Sequence, residues 1–145
     1  MKAIVLQFIL VLACSMQVSA QSGHKTTNTN IISDGTHFVQ PVTDKKWNNS
    51  NGKDFTKASF VDFSGSCYVF IEVKETATVR FHSFTEVNKG KVEIKLIDEE
   101  ETVYFYCDIT EVCLVEKDIV LEKGKKYRLY FTGENAKGNY LVKWK

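Results

Sequence analysis

Few residues in this chain have both the type and the spacing that chemistry requires. His24, His37 and His82 are the only histidines. None has a second histidine or a cysteine at the close spacing of a metal site, so each reads as a surface residue. Ser64-Gly65-Ser66-Cys67 is the one compact serine and cysteine cluster. It lacks the Gly-x-Ser-x-Gly elbow and a neighbouring base, and it reads as a turn leading into a strand. There is no glycine-rich phosphate loop. The acids gather at Asp98-Glu99-Glu100-Glu101 and at Glu111, Glu116 and Asp118. A pair of carboxylates could hydrolyse glycosides, but these positions suit a charged hairpin tip and strand edges. A calcium site at Asp98, Glu99 and Glu100 would need an oxygen-ligand spacing that matches no known loop. The expectation is a non-enzymatic protein with no catalytic residue, no metal ligand and no cofactor.

Aromatic residues, 12% of the chain, carry the functional signal. Tyr68 and Phe70 alternate with Cys67, Val69 and Ile71; Tyr104 and Tyr106 alternate with Val103, Phe105 and Cys107; Tyr130 falls between Leu129 and Phe131. Were these off-phase rings to share one sheet face, they would make a platform for a partner or for the apolar face of a sugar. The competing reading is that both faces of a middle strand are covered, which also blurs alternation. Trp47, Tyr104, Tyr106 and Tyr130 are the candidate stacking residues. The partner class is an unspecified protein or a carbohydrate, and a carbohydrate-binding module is the alternative to a structural or accessory role.

The elements that must position these rings are strands. Runs of period two recur at 67–73, 79–82, 91–96, 103–107, 127–131 and 140–144, and successive side chains of a strand point to opposite faces. Their common inward phase predicts a core of Val69, Ile71, Phe81, Val92, Ile94, Phe105, Leu129, Phe131 and Val142. Asn88-Lys89-Gly90, Glu122-Lys123-Gly124 and Ala136-Lys137-Gly138 each place Lys-Gly before a strand and predict tight reversals. Asn51-Gly52 predicts another, inside a polar stretch at 43–56. Asn48-Asn49-Ser50 is a glycosylation sequon, meaningful in a eukaryotic source. No sustained helical periodicity is present. The fold class expected is all-β, a single antiparallel β-sandwich of jelly-roll type, with a continuous barrel as the alternative. The stretch Val120 to Leu129, followed by Lys137-Gly138-Asn139-Tyr140-Leu141-Val142, resembles the closing hairpin of small jelly-roll sandwiches in bacterial exported proteins, the pre-peptidase C-terminal type. That resemblance implies an accessory or binding role and transfers no site residues.

Met1-Lys2, the apolar run Ala3 to Ala13 and the small residues Val18-Ser19-Ala20 form a secretory signal peptide. The expected organisation is therefore signal peptide 1–20, flexible polar leader 21–35 and sandwich domain 36–145, a size suited to one domain. Val11-Leu12-Ala13-Cys14 offers a rival, a lipobox that would anchor a lipoprotein at Cys14. The protein is expected to be secreted or periplasmic, with a membrane-anchored lipoprotein as the alternative. The apolar run is shorter than the ~20 residues that span a bilayer. Removing Lys2 takes the balance from 19 basic against 18 acidic residues to parity. Such a chain has no bulk attraction for nucleic acid or anionic membrane. Of the remaining cysteines, Cys107 and Cys113 flank a short connection that a disulfide could close, and Cys67 shares a face with Val69 and Ile71 as a buried thiol.

Overall fold

The computed structural model describes residues 30–145. Residues 1–20, with Cys14, and the part of the polar leader that holds His24 lie outside the described residues. The described residues form eight strands: β1 (Ile31–Ser33), β2 (His37–Thr43), β3 (Lys46–Asn51), β4 (Phe55–Val73), β5 (Ala77–Asp98), β6 (Val103–Ile109), β7 (Val112–Leu121) and β8 (Tyr127–Trp144). Every pairing is antiparallel. β4, β8 and β5 lie side by side along most of their length. β3, β2 and β1 share the outer edge of β4 in turn, and β7 and β6 share the outer edge of β5.

Strands of 19, 22 and 18 residues are far longer than one layer of a small domain requires. They bend. Phe131 and Tyr140, both on β8, would stand about 30 Å apart on a straight strand at ~3.3 Å per residue, yet their rings lie 4.7 Å apart. Phe81 on β5 meets Phe105 at 5.8 Å, although Phe105 pairs with Leu96, far along the same strand. The sheet therefore folds across its middle into two layers. The first layer holds β1, β2, the C-terminal halves of β4 and β5, the N-terminal half of β8, and β6. The second holds β3, the opposite halves of those three strands, and β7. The result is an antiparallel β-sandwich. The pairing order ends at β1 and β6, so the described residues form an open sheet and not a barrel.

The crease is written into the sequence as a change of phase. On β4 the buried residues are Thr56, Ala58 and Phe60, then Phe63, then Cys67, Val69, Ile71 and Val73. On β5 they are odd-numbered from Val79 to Val87 and then Val92, Ile94 and Leu96. A bulge inserts one residue and restores the inward face beyond the bend. The register shifts fall at those points, and so do left-handed backbones at Asp62, Gly90 and Asn135. Two Lys-Gly pairs expected as reversals are thus bends within strands: Lys89-Gly90 lies inside β5 and Lys137-Gly138 inside β8. Only Lys123-Gly124 turns the chain, between β7 and β8. The closing hairpin expected there is absent, because β7 and β8 pair with opposite edges of β5 and not with each other. The polar stretch at 43–56 contains β3, and the end of the polar leader contains β1, paired with β4. The Asn51-Gly52 turn stands between β3 and β4 as expected.

Side chains hold the crease in place. The Asp62 carboxylate accepts from Lys45 Nζ and from Lys89 Nζ, both at 3.1 Å. Those two hydrogen-bonded ammonium groups hold its carboxyl below the usual carboxylate range. Asn135 N donates to Ser64 Oγ at 2.8 Å, and Ser66 and Thr132 hydroxyls meet at 2.8 Å. The Ser64–Cys67 cluster is therefore a bulge and strand segment of the crease. All nine predicted core residues are buried, joined by Phe60, Phe63, Tyr127, Tyr140 and Trp144.

Gly90 and Gly124 make a paired test of the crease. Both have positive φ, at 76° and 83°. A Cβ at Gly90 would drive into the Glu134 and Asn135 carbonyls, whereas nothing stands near Gly124. Gly124→Ala should cost about 1–2 kcal/mol, the left-handed penalty alone, and Gly90→Ala distinctly more in denaturant unfolding. Equal losses would mean that the crease does not depend on this close approach. Acid should also weaken the fold. Asp62 is held low by its two lysines, and Asp118 by the hydrogen-bonded Arg80 guanidinium. A carboxyl depressed in the native state stabilises above its unfolded value of about 4 and loses that contribution as pH falls through the native value. The urea midpoint should drop between pH 6 and pH 3, and Asp62→Asn should make that drop shallower.

Candidate functional site

The outer face of the first layer carries a ring ladder. Register places His37, Tyr68, Tyr130, Lys95 and Tyr106 side by side across β2, β4, β8, β5 and β6. His37 stacks on Tyr68 at 5.2 Å, Tyr68 meets Tyr130 at 5.1 Å, and Phe70 turns its edge to Tyr68 at 5.0 Å. Cations lie over the outer rings: Arg128 is 5.5 Å and Lys95 5.9 Å from the Tyr130 centroid, and Lys126 is 6.0 Å from that of Phe70. Tyr106, 51% exposed, donates its hydroxyl to Glu93 Oε2 at 3.2 Å. Desolvation and that bond raise its phenol above the usual range. Among the described residues no further layer covers this face, and the rings form a half-buried platform.

Two of the four predicted stacking residues, Tyr106 and Tyr130, stand on this platform. Trp47 instead faces the interior from β3 and packs against Phe63 at 4.7 Å, Phe131 at 5.7 Å and Phe60 at 5.8 Å. Its register partner is the buried Phe60, so it continues the inward row. Tyr104 is drawn into the β5–β6 hairpin, where its hydroxyl donates to Asp98 Oδ2 at 2.9 Å and its ring meets Tyr127. Burial and that carboxylate raise its phenol well above the usual range. Tyr68 and Phe70 take the places that Trp47 and Tyr104 leave.

The acids at this hairpin serve the turn. Burial would raise the Asp98 carboxyl, but bonds from the backbone N–H groups of Thr102 and Glu100 and from Tyr104 outweigh it and hold it low. Its oxygens are thereby spent on the chain's own donors. Glu116 and Asp118 face Arg80, with Asp118 bound in a fork at 2.6 and 2.7 Å. His37 contacts Asp34 at 2.7 Å and His82 contacts Glu116 at 3.6 Å, both at the surface. Among the described residues no group of three or more metal-ligating side chains is assembled.

The outer face of the second layer is different. Three hollows join there into one groove: about 410 Å³ bordered by Phe84, Leu114, Leu141 and Lys143, about 480 Å³ bordered by Asn48, Ser50, Lys57, Ser59 and Asn139, and about 270 Å³ bordered by Lys46, Asn88 and Lys137. Leu141 is common to the first two, and Ser59 and Asn139 to the last two. The exposed sequon residue Asn48 lies in the middle hollow. Nothing in the sequence pattern singled this face out, because its lining alternates out of phase with the core on five separate strands.

The cysteines divide as expected. Cys107 and Cys113 form a disulfide with Cα atoms 6.9 Å apart. Cys107 pairs with Ile94 in the first layer and Cys113 with Thr85 in the second. The bridge therefore joins the edge strands of the two layers, β6 and β7, beside the β5 bulge at Val87–Lys91. Cys67 is buried and free.

No family model and no curated protein matches this chain. Among solved structures it is similar to carbohydrate-binding module CBM6cm-2 from Cellvibrio mixtus lichenase 5A in complex with cellotriose, with 8% identity over 76% of this chain and 95% of that one and a TM-score of 0.39. It is also similar to the CBM22-1 xylan-binding domain from Paenibacillus barcinonensis Xyn10C, with 13% identity, coverages of 75% and 81% and a TM-score of 0.40. The family 11 carbohydrate-binding module of Clostridium thermocellum Lic26A-Cel5E gives 9% identity, coverages of 79% and 84% and a TM-score of 0.39. The sandwich described above rests on this chain's own pairing and burial.

Burial pushes the Cys67 thiol up to about 12. Only the thiolate reacts quickly. Native protein at pH 8 should therefore take up no iodoacetamide, and urea-unfolded protein one equivalent on Cys67. Rapid native labelling would place this residue outside the core.

Proposed function

We propose that this protein is an exported, non-catalytic binding module whose ligand is a carbohydrate held on the ring platform of the first layer. The observation that carries the reading is the row Tyr68, Tyr130 and Tyr106 with Phe70 beside it, open to solvent on a rigid sheet. Rings fixed by β-pairing lose little freedom on binding, and their faces suit the C–H surfaces of pyranose sugars. Glu93, Lys95 and Arg128 stand among the rings as hydrogen-bonding groups for hydroxyls. Export is proposed from the signal sequence, and the Cys107–Cys113 bridge fits an oxidising compartment. Cleavage after Ala20 is part of the proposal, with a mature chain beginning at Gln21; an N-terminus at a lipidated Cys14 would refute it.

Affinity electrophoresis through gels containing a soluble neutral β-glucan or xylan tests the platform. Wild-type protein should be retarded by at least one of them. Tyr106→Ala/Tyr130→Ala should abolish the retardation, since each ring stack is worth on the order of 0.5–1.5 kcal/mol, while the variant still unfolds cooperatively at a modestly lowered thermal midpoint, the cross-strand ring contacts of Tyr130 being lost. Equal migration of variant and wild type would overturn the platform as the binding surface.

A further inference from the structure

We infer that the groove on the second layer is a separate site for an acidic polysaccharide chain. Lys46, Lys57, Lys137 and Lys143 border it, with Lys145 at one end; among the described residues the carboxylates that face them are Asp54 in the lining and Glu86, which pairs in register with Asn139 and accepts from Asn88, so lysines outnumber carboxylates there. Among the described residues none of Lys46, Lys57, Lys137 and Lys143 has a carboxylate within ion-pair distance, whereas Lys45, Lys89, Lys91, Lys95, Lys123, Lys125 and Lys126 each have one. Lys57 lies 5.9 Å over the Phe55 ring and is otherwise unengaged. Lys53, Lys74 and Lys117 are also without an ion pair and lie outside this lining, but no other part of the described surface brings so many unpaired lysines into one set of adjoining hollows.

The uncharged lining selects among polyanions. Asn48 and Asn139 enter no side-chain hydrogen bond among the described residues, and Ser50 and Ser59 stand beside them as donors and acceptors for hydroxyls. Leu141, Phe84 and Leu114 supply an apolar floor at one end. An acidic peptide would gain most by backbone pairing. The groove lies on a sheet face, however, where backbone groups are already paired to neighbouring strands. Single-stranded nucleic acid wants several stacking rings along its path, whereas among the described residues the outward rings, His82, Phe84 and Phe55, stand at one end, and the rings that line the other two hollows, Tyr140 and Phe60, are buried. A chain of uronate or sulfated sugars matches cations, amides and apolar floor together. The three joined hollows suit a polymer better than a single ring.

Binding of fluorescent polygalacturonate and of a heparin-type sulfated glycan to the full protein, followed by anisotropy at low and at 0.5 M salt, is the test. Wild-type protein should bind one of them and lose it at high salt, where the Debye length is only a few ångströms. Lys46→Gln/Lys57→Gln/Lys137→Gln should weaken binding about tenfold or more, since exposed pairs are individually weak but here act together. The corresponding Lys→Arg variant should bind as wild type does. Tyr106→Ala/Tyr130→Ala should leave this binding intact, so failure of the platform and failure of the groove are told apart. Equal affinity for polyglutamate or single-stranded DNA, or a triple Gln variant that binds as wild type does, would overturn the assignment.

Discussion

Three strands too long for one layer govern this structure. β4, β5 and β8 must each turn through the crease at the same level, because they are hydrogen-bonded side by side on both sides of it. If one strand bulged alone, its register with its neighbours would slip and every residue beyond would face the wrong way. The bulges at Asp62, Asn88–Lys91 and Asn135 are therefore one feature distributed over three strands. The hydrophobic core depends on them, since Phe60, Phe131 and Tyr140 meet only because the sheet has closed. The disulfide sits at the level of that hinge, on the outer flank of β5, because Cys107 pairs with Ile94 and Cys113 with Thr85 on either side of the bulge at Val87–Lys91. It carries the crease on from β5 into the edge strands β6 and β7.

Much of this was legible from residues alone, and the misreadings share one cause. The period-two runs located the inward residues correctly because burial of a strand face depends on local alternation. What alternation cannot reveal is whether two runs belong to one strand. Val79-Phe81 and Val92-Ile94-Leu96 read as two strands with a Lys-Gly reversal between them. In fact the even-for-odd switch between those runs is the mark of a bulge on one continuous strand. Glycine with a neighbouring lysine suits both a turn and a bend, since both ask for positive φ and an exposed flank. β3 escaped notice because an edge strand of Lys, Asn and Ser has little hydrophobic pattern, and Trp47 in its midst looked like a surface ring for the same reason.

The site divides along similar lines. Tyr106 and Tyr130 were identifiable as off-phase aromatics, and their phase does place them outward. Tyr104 has the same phase, but it stands at the register shift between Ile97 and Leu96 that follows the hairpin, which re-aims it at Asp98. Chain-local parity fails wherever a bulge intervenes. The ladder itself is a property of five strands in register, and no single stretch of sequence contains it.

Net charge conceals a further division of labour. Counting gives near parity, and parity argues against any electrostatic partner. Attraction, however, is decided by the field near a surface within a Debye length of about 10 Å, and not by the sum over the chain. On the first layer and around the crease, lysines are matched to carboxylates: Lys45 and Lys89 to Asp62, Lys95 to Glu93, Lys126 to Glu72. Along the groove they are not. Several acids are held instead by the chain's own donors, Asp98 on its hairpin and Glu116 and Asp118 on Arg80. Carboxylates that fasten the crease, the hairpin and Arg80 are local to those places, and lysines stay in excess along one concave face of a protein that is near neutral as a whole.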